Sequence, residues 1–407
     1  MKTTYGRSPW IDQFPASRLP GYPQHKGHLD SAVAIIGGGL TGAATAYAFA
    51  TAGIKVVLVE AGRLGQGGSG TSIGWIAGDP GVSFALLEKT YGVRHARRVF
   101  QAWRRAALDF SALVRRLNLK SYLEARSTIH LAFDREDVAA LERDQKARKA
   151  AGVEASMLKP RATESEVAIA AQALRTRDGA TLDPYRTTLG LAGAAVARGA
   201  LCFERSPATR IVFRPKWVDI TTRTGTIRAD RVVVATGAPT PLVRQLQRHC
   251  WADSSFLTLT DTVPAKIRQK LGRRDSVIRD SARPEHIVRW VGEDRLLVAG
   301  ATSGRVPERL RDKTILQRTG QLMYELSTMY PDISGIPPAY GWESPLARTV
   351  DGLPYIGPHR NLPRHLFAFG DSSHSVTGAY LASRILLRHY QEEADAADEV
   401  FAFTRVT

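Results

Sequence analysis

A short glycine-rich segment near the start of the chain has the composition and spacing of a turn that binds phosphate groups. Residues Gly37–Gly42 have the sequence Gly-Gly-Gly-Leu-Thr-Gly. Gly37 would allow the tight bend, Gly39 would let backbone N–H groups approach a pyrophosphate, and Gly42 would permit close helix–strand packing. Glu60 follows this turn at about the twenty-residue spacing expected for an acid that binds a ribose hydroxyl. An acid and not an arginine at this position argues against the 2′-phosphate of NADP. The pattern predicts a dinucleotide-binding site.

The segments around this turn predict the elements that would position it. Ala32–Ile36 is typical of a buried strand, Leu40–Ala52 of an alanine-rich helix, and Ile54–Val59 of a second apolar strand. This order within about thirty residues indicates a βαβ unit of a parallel sheet. The apolar run Val33–Gly53 is as long as a membrane span, but its glycines fit a strand, a turn and a helix better.

Further helices and strands are predicted along the rest of the chain. Helices are expected up to about Leu117 and at 136–151, 187–198 and 377–390, and strands at 217–222, 231–235, 286–290, 295–298 and 366–369. The two segments within 286–298 alternate like an antiparallel pair. Because 407 residues exceed what one hydrophobic core usually supports, we expect two domains, with a discontinuous arrangement in sequence.

The composition is that of an ordinary globular protein, with 43% hydrophobic and 23% charged residues. The two cysteines, Cys202 and Cys250, exclude a disulfide scaffold or a cysteine-rich metal cluster and fit a reducing cytoplasm. The first thirty residues are polar and rich in proline, unlike a signal peptide. We therefore expect a cytoplasmic protein and predict no metal site.

The chain is strongly basic, with a net charge of +17. Its densest basic stretch, Arg94–Arg116, has the pattern of an amphipathic helix whose arginines lie mainly off the apolar stripe. The stripe consists of Val93, Ala96, Phe100, Trp103, Ala107, Phe110, Val114 and Leu117. A solvated helix face is the simpler interpretation, and peripheral contact with an anionic membrane or an acidic redox partner is the alternative. No nucleic-acid motif accompanies the charge, so we predict no nucleic-acid partner.

Four segments resemble the cofactor motifs of the D-amino-acid-oxidase-like superfamily, which includes glycine, sarcosine and γ-glutamylputrescine oxidases. Glu60–Thr71 resembles its second flavin signature, and Ser206–Ile211 resembles the segment that meets the adenine. Ala229–Ala238 is similar to the third cofactor motif, and Thr349–Pro358 matches the DGLPxIG element. The resemblance spans nearly the whole chain in the right order, and it is specific for the cofactor and the fold more than for the substrate.

This resemblance implies FAD as the cofactor and an α/β fold. The expected cofactor-binding residues are Gly37, Gly39, Leu40, Thr41, Gly42, Glu60, Ala61, Arg63, Gly67, Ser69, Gly70, Thr71, Ala208, Ala235, Thr236, Gly237, Gly370, Ser375, Val376 and Thr377. We expect a Rossmann-type FAD-binding domain with a discontinuous α+β substrate domain built on an antiparallel sheet. The expected boundaries are 31–86, 184–248 and 344–392 for the FAD-binding domain, 87–183 and 249–343 for the substrate domain, 1–30 for a Pro-rich N-terminal extension and 393–407 for a C-terminal tail.

The last cofactor motif departs from the family pattern. Family members commonly carry Gly-His-Gly-Gly-His-Gly, whereas Gly370–Gly378 has the sequence Gly-Asp-Ser-Ser-His-Ser-Val-Thr-Gly, nearer to flavin proteins fused to Rieske domains. Ser373 and His374 are candidate catalytic residues that could donate hydrogen bonds to flavin or substrate, and a capping or packing role is the alternative for His374. Covalent attachment in monomeric sarcosine oxidase uses a cysteine before the DGLP-like element, but Trp342–Arg348 contains none. The resemblance therefore implies noncovalent FAD.

Arg289 is the main candidate for substrate binding. Similar strands in amino-acid-oxidising relatives carry an arginine or tyrosine that faces the substrate, and a guanidinium suits bidentate binding of a carboxylate. A surface or ion-paired arginine is the alternative interpretation. Trp75, Trp342 and Arg348 are further pocket candidates because they lie near the flavin motifs.

The reaction implied by the resemblance is transfer of hydride from the CH–NH bond of a small amine or amino acid to flavin N5, giving an imine that hydrolyses. The cofactor would accept the electrons, and the protein would orient the substrate. Oxygen or an electron carrier would then reoxidise the flavin. Two alternatives are a dehydrogenase of a non-amine such as a 2-hydroxy acid, and a membrane-docked redox protein with little turnover of small substrates.

Overall fold

The computed structural model contains two β-sheets with helices on their faces. It describes residues 2–159, 161–163, 167, 169–271, 273–370 and 376–405. The strands are β1 (Thr4–Tyr5), β2 (Gly27–Ile36), β3 (Val56–Val59), β4 (Trp75–Ile76), β5 (Glu124–Ala132), β6 (Ser156–Met157), β7 (Gln172–Thr181), β8 (Leu201–Phe203), β9 (Ala208–Phe213), β10 (Val218–Thr222), β11 (Gly225–Gly237), β12 (Trp251–Thr260), β13 (Ser276–Asp280), β14 (Ile287–Val291), β15 (Arg295–Gly304), β16 (Pro338–Arg348), β17 (Tyr355–His359) and β18 (Leu362–Phe369). The α-helices include α1 (Pro9–Asp12), α2 (Leu40–Thr51), α3 (Gly68–Thr71), α4 (Phe84–Tyr91), α5 (Val93–Arg116), α6 (Arg135–Ala150), α7 (Pro184–Val196), α8 (Ala265–Arg268), α9 (Arg311–Met329) and α10 (Thr377–Gln391).

The smaller sheet has a parallel centre, as the βαβ pattern predicts. Its strand order is β17-β18-β11-β2-β3-β8, and neighbouring strands from β18 to β8 are parallel. Val33 and Ile35 face the core on the helical side, and Ala34 and Ile36 face a second core on the opposite side. The strand is apolar throughout because both faces of the sheet are covered.

The glycine-rich turn connects β2 to α2 at the carboxyl edge of this sheet. Gly37 has a φ of +110°, and its N–H donates to the carbonyl of Val59 at 2.9 Å. A Cβ added to Gly42 would lie only 1.8 Å from the carbonyl oxygen of Gly37. The first turn of α2 therefore packs on the preceding turn as closely as the backbone allows, which supports the packing role predicted for Gly42.

The larger sheet is mainly antiparallel and has the order β1-β16-β12-β15-β14-β13-β5-β7-β4, with β6 paired to β7. The predicted antiparallel pair near 286–298 is confirmed as β14 and β15. Leu257 and Leu297 face the core shared with the smaller sheet, and Phe256 and Val298 face a separate core that includes Leu322 of α9. The α/β fold class is confirmed, with one sheet on each side of the shared core.

Helix α5 packs on the core through its predicted apolar stripe, but the buried part of the stripe begins one turn later than expected. Ala96, Phe100, Trp103, Ala107, Phe110 and Val114 are buried. Val93 is exposed and Leu117 is half-buried. Arg104, Arg105, Arg115 and Arg116 face solvent. Among the described helices, none is both long enough and apolar enough to cross a membrane.

Several predicted boundaries differ from the observed ones. Strand β2 begins at Gly27 instead of Ala32, and β11 begins at Gly225 instead of Arg231. These extra residues pair with each other in parallel, so the strands continue beyond the fully buried centre of the sheet. Helix α9 was not predicted from the sequence.

A partly buried histidine connects the larger sheet to α9. Nδ1 of His286 lies 2.7 Å from Oδ2 of Asp280, and its Nε2 lies 2.9 Å from Oε2 of Glu325. Burial alone would lower the pKa of His286, but the hydrogen bonds and charges of these two carboxylates outweigh it and raise the pKa to about 9. The imidazolium form therefore stabilises the folded protein.

We expect the free energy of unfolding to fall as pH rises from about 6.5 to 9, on the order of 2 kcal/mol for this site. The folded pKa lies above the unfolded one, so the contribution is fully present below pH 6.5 and is lost as pH rises through the folded value. Urea unfolding of wild type and His286→Gln between pH 6.5 and 9 measures this contribution to the free energy of unfolding. The substitution His28→Gln, at an exposed histidine, is the control. An equal pH dependence in wild type and His286→Gln would contradict the assignment.

Candidate functional site

A cavity of about 430 Å³ lies where the two sheets meet. Its walls come from the start of α2, the segment after β3, the end of β11, strands β12 and β16, and the first turns of α10. This volume lies within the range of about 300–1,000 Å³ that is usual for sites of small molecules and cofactors.

Most of the predicted cofactor-binding residues line this cavity. They are Gly39, Leu40, Thr41, Glu60, Ala61, Gly67, Ser69, Thr236, Gly237, Gly370 and Val376. The predicted residues that do not line it are Gly37, Gly42, Arg63, Gly70, Thr71, Ala208, Ala235 and Thr377. Ser373, His374 and Ser375 lie outside the described residues.

Several predicted residues outside the lining support it from behind. A Cβ on Gly37 would lie 2.6 Å from the carbonyl oxygen of Ala235, so this glycine allows the turn to pass close to β11. A Cβ on Gly70 would lie 2.9 Å from Cδ1 of Ile11, which packs there from the N-terminal segment. Thr377 Oγ1 donates to the carbonyl of Ala77 at 2.9 Å. These residues hold the wall in place, and direct contact with a cofactor stays a prediction for them.

The start of α2 and the side chain of Glu60 form one end of the cavity. Oε2 of Glu60 accepts a hydrogen bond from the N–H of Gly38 at 2.6 Å, and its Oε1 accepts one from Gly62 at 2.7 Å. Ser69 Oγ accepts from the N–H of Leu40 at 2.7 Å. The glycine-rich turn, the acid and the second flavin signature are therefore tied together by hydrogen bonds. A helix N-terminus at this position attracts phosphate groups.

The residues present fit a bound FAD. The turn and helix start pack so closely that a side chain at Gly42 has no room, which is the packing expected of the third glycine in a dinucleotide-binding turn. Glu60 supplies a carboxylate at the cavity wall for a ribose hydroxyl. The cysteines Cys202 and Cys250 are buried elsewhere, and neither lines the cavity.

The sequence did not identify the walls contributed by α5 and the larger sheet. Trp103, Leu257 and Pro345 line the cavity. Trp103 was assigned to the apolar stripe of α5, and that stripe pattern does not distinguish a core residue from one that faces a cavity. Trp103 Nε1 is buried without a hydrogen-bond partner among the described residues.

Arg289 is buried beside this cavity but does not line it. Its side chain lies on the face of the larger sheet that points to the shared core, and 5% of the residue is exposed. Nη2 donates to the carbonyl of Leu182 at 3.2 Å, and Nε has no partner in the described part of the chain. Burial lowers the pKa of Arg289 to about 9. Burial also raises the pKa of the neighbouring Asp183 to about 6.

The other substrate-binding candidates are tied to neighbouring elements. Nε1 of Trp342 donates to the carbonyl of Thr71 at 2.8 Å, and Arg348 forms an ion pair with Asp253 at 2.7 Å. The carbonyl of the buried Trp75 accepts from the N–H of Val376 at 2.8 Å. Trp75, Trp342 and Arg348 do not line the cavity, and their role in substrate binding stays a prediction.

Comparisons with known proteins agree with this geometry. The family model DAO, described as FAD dependent oxidoreductase, matches residues 32–388. The chain is 24% identical over 372 residues to gamma-glutamylputrescine oxidoreductase of Escherichia coli (strain K12), covering 90% of this chain and 85% of that protein. It is 25% identical over 387 residues to glycine oxidase of Geobacillus kaustophilus (strain HTA426), covering 91% and 96%. The crystal structure of glycine oxidase from Geobacillus kaustophilus shares the fold, with a TM-score of 0.77 at 20% identity, covering 93% of this chain and 100% of that one.

Proposed function

Because the chain belongs to the DAO family of FAD-dependent oxidoreductases, we propose that it oxidises the CH–NH bond of a small amino acid whose carboxylate binds Arg289. The relatives support an amine or amino acid as the substrate, since their names are those of a gamma-glutamylputrescine oxidoreductase and a glycine oxidase. The environment of Arg289 favours a substrate that also carries a negative charge.

The proposal that the substrate has a carboxylate rests on the incomplete pairing of the Arg289 guanidinium. It is buried, Nε has no partner among the described residues, and the hydrogen bond to the Leu182 carbonyl adds no negative charge. The charges of Asp183 and Glu124 offset its burial only in part, and neither carboxylate forms an ion pair with Arg289. An incoming carboxylate would offset the remaining cost with charge-assisted hydrogen bonds. The low pKa of Arg289 has the same cause.

The chain's own residues would bind and orient the substrate and exclude water. FAD, when bound, supplies the acceptor for the electrons of the substrate CH–NH bond. Trp103 and Leu257 give the cavity apolar walls, which limit access of water to the reacting carbon. Arg289 would fix the substrate through its carboxylate and so orient the amine. Catalytic roles for Ser373 and His374 remain part of the proposal.

Arg289→Ala is expected to raise KM about 10- to 100-fold for a substrate with a carboxylate, because hydrogen bonds to a charged group contribute about 1.5–3 kcal/mol. Steady-state kinetics with glycine, L-proline and iminodiacetate would measure the change, while the flavin spectrum should stay the same. Arg274→Ala is the matched control, since the Arg274 guanidinium also lies over a tryptophan ring, that of Trp290 at 5.9 Å, but is exposed. An unchanged KM in Arg289→Ala would refute the carboxylate role.

The class of substrate is tested separately by anaerobic reduction of the flavin. Amines and amino acids should bleach the visible absorbance, whereas 2-hydroxy acids should not. Bleaching by hydroxy acids and by no amine would contradict the proposed chemistry. Comparing oxygen uptake with reduction of an artificial electron acceptor would then identify oxygen or an electron carrier as the oxidant.

Noncovalent binding of FAD predicts that acid precipitation releases the colour. The described residues that line the cavity include no cysteine, and burial raises the pKa of both Cys202 and Cys250 to about 12. The absorbance of the supernatant after precipitation measures the released flavin, with heat denaturation as a second release method. Yellow colour that stays in the pellet would indicate a covalent bond.

We also propose a cytoplasmic location. Cys202 and Cys250 are both free and buried, which fits a reducing compartment.

A further inference from the structure

The segment Thr4–Gln13, here called the N-terminal strap, lies against the stretch Ser72–Gly74, which runs from the cavity lining to Arg289. Thr4 and Tyr5 pair in parallel with β16. Ser8 Oγ donates to the carbonyl of Gly70 at 2.5 Å, and Trp10 Nε1 donates to the carbonyl of Ser72 at 3.0 Å. The strap is therefore attached to the larger sheet, to the second flavin signature and to the residue that follows that signature.

Trp10 lies directly over the guanidinium of Arg289. The centre of the guanidinium is 5.2 Å from the centroid of the indole ring, and Trp10 is 8% exposed. A tryptophan face attracts a cation and shields it from water. The guanidinium meets the face of the indole and not a hydrogen-bond acceptor there, so Nε still has no partner among the described residues.

Arg289 is only a few residues from the cavity lining along the chain segment that Trp10 contacts. Ser72, which accepts the hydrogen bond from Trp10, lines the cavity together with Ile73. The next residue, Gly74, has a φ of +70°, and a Cβ there would lie 3.2 Å from Nη2 of Arg289. One short stretch of chain thus contacts Trp10, the cavity and Arg289 in turn.

We propose that Trp10 is a positioning residue for carboxylate recognition, holding the plane of Arg289 so that its N–H edge is kept for the substrate carboxylate. The inference rests on the proposed function and assigns a role to the strap, a part of the chain that the sequence predicted only as a Pro-rich extension. The indole would act through Arg289 and need not touch the substrate.

The test is calorimetric titration of the FAD-loaded, full-length enzyme with propionate, a carboxylate that lacks the amine. Trp10→Leu removes the aromatic face, and Trp10→Phe keeps a face but removes the hydrogen bond to Ser72. We expect Trp10→Leu to weaken propionate binding about tenfold, within the range of a desolvated cation–π contact, and Trp10→Phe to weaken it about twofold or less. Both variants should keep the flavin spectrum of the wild type.

Combination with Arg289→Ala separates positioning from a general structural effect. In the Arg289→Ala background, Trp10→Leu should cause no further loss of propionate affinity. A further loss of similar size, equal losses in Trp10→Leu and Trp10→Phe, or no loss in Trp10→Leu would each overturn the role of Trp10. If wild type fails to bind propionate, or Arg289→Ala binds it as well as wild type does, the carboxylate proposal itself is overturned.

Discussion

Gly42→Ala is expected to yield protein that does not retain FAD. The added Cβ would lie 1.8 Å from the carbonyl oxygen of Gly37 and 3.0 Å from its carbonyl carbon, both of them backbone atoms. Relief requires α2 to move away from the turn, and overpacking of this severity costs at least about 3 kcal/mol, the upper end of the usual range. The movement would displace the N–H groups at the start of α2 from the cavity wall. Visible absorbance relative to protein absorbance after purification measures the retained flavin.

Two further glycine variants distinguish a local effect from a general one. Gly193→Ala adds the same methyl group to the exposed side of α7, where it would contact nothing within 4 Å. It should retain FAD and be stabilised by up to about 1 kcal/mol. Gly39→Ala would meet only Ser69 Oγ, 3.0 Å away, at the cavity wall. It should keep the wild-type Tm without FAD yet bind FAD more weakly. Normal flavin content in Gly42→Ala would contradict the proposal that the glycine-rich turn and the start of α2 bind FAD.

The sequence predicted the turn and the parallel unit because their signals are local. The positive φ of Gly37 and the contact of Gly42 with Gly37 are set by backbone geometry within a few residues, and strands buried on both faces are apolar throughout. Helix α9 was missed although Ile315, Thr319, Leu322 and Leu326 are buried at helical spacing. The buried Thr319 is polar, whereas Leu316 and Tyr324 are apolar but exposed, and both exceptions weaken the helical pattern in the sequence.

The cavity could be predicted only on the side that carries the motifs. Leu257 and Pro345 contribute to the opposite wall because β12 and β16 pair there, a contact between segments far apart in sequence. Trp10 contacts Arg289 although more than half the length of the chain lies between them. Neither relation leaves a pattern in a single sequence, since each depends on tertiary packing.

Another residue outside the predicted motifs holds the DGLPxIG element in place. Arg405 forms a bidentate ion pair with Asp351, with Nε 2.7 Å from Oδ2 and Nη2 3.0 Å from Oδ1. Its guanidinium also donates to the carbonyl of Leu353 at 2.5 Å and that of Pro354 at 2.9 Å. The adjoining Gly352 lines the cavity, as does Pro354. Arg405 therefore fixes the loop that forms part of the cofactor wall.

Arg405→Met is expected to lower the free energy of unfolding by about 3–5 kcal/mol, because it leaves the charge of Asp351 buried without its partner. The two side chains are only 1% and 7% exposed, so solvent screens the pair little. The same change should weaken FAD binding, since the loop loses the bonds that hold Leu353 and Pro354. Urea unfolding of the FAD-free protein and titration with FAD measure the two effects separately.

The pH dependence and a paired variant identify the cause of the loss. Burial would raise the pKa of Asp351, but the hydrogen bonds and charge of Arg405 outweigh it and lower the pKa. The ion pair therefore stabilises the folded protein at pH values above the usual pKa of a carboxyl group. This contribution is lost as pH falls through the lowered pKa. In Arg405→Met this acid-side loss should disappear, and adding Asp351→Asn should recover part of the stability because no charge is then left unpaired. The exposed Arg384→Met on α10 is the control for removal of an arginine and should stay near wild type. A loss in Arg405→Met no larger than in Arg384→Met would show that the ion pair does not hold the loop.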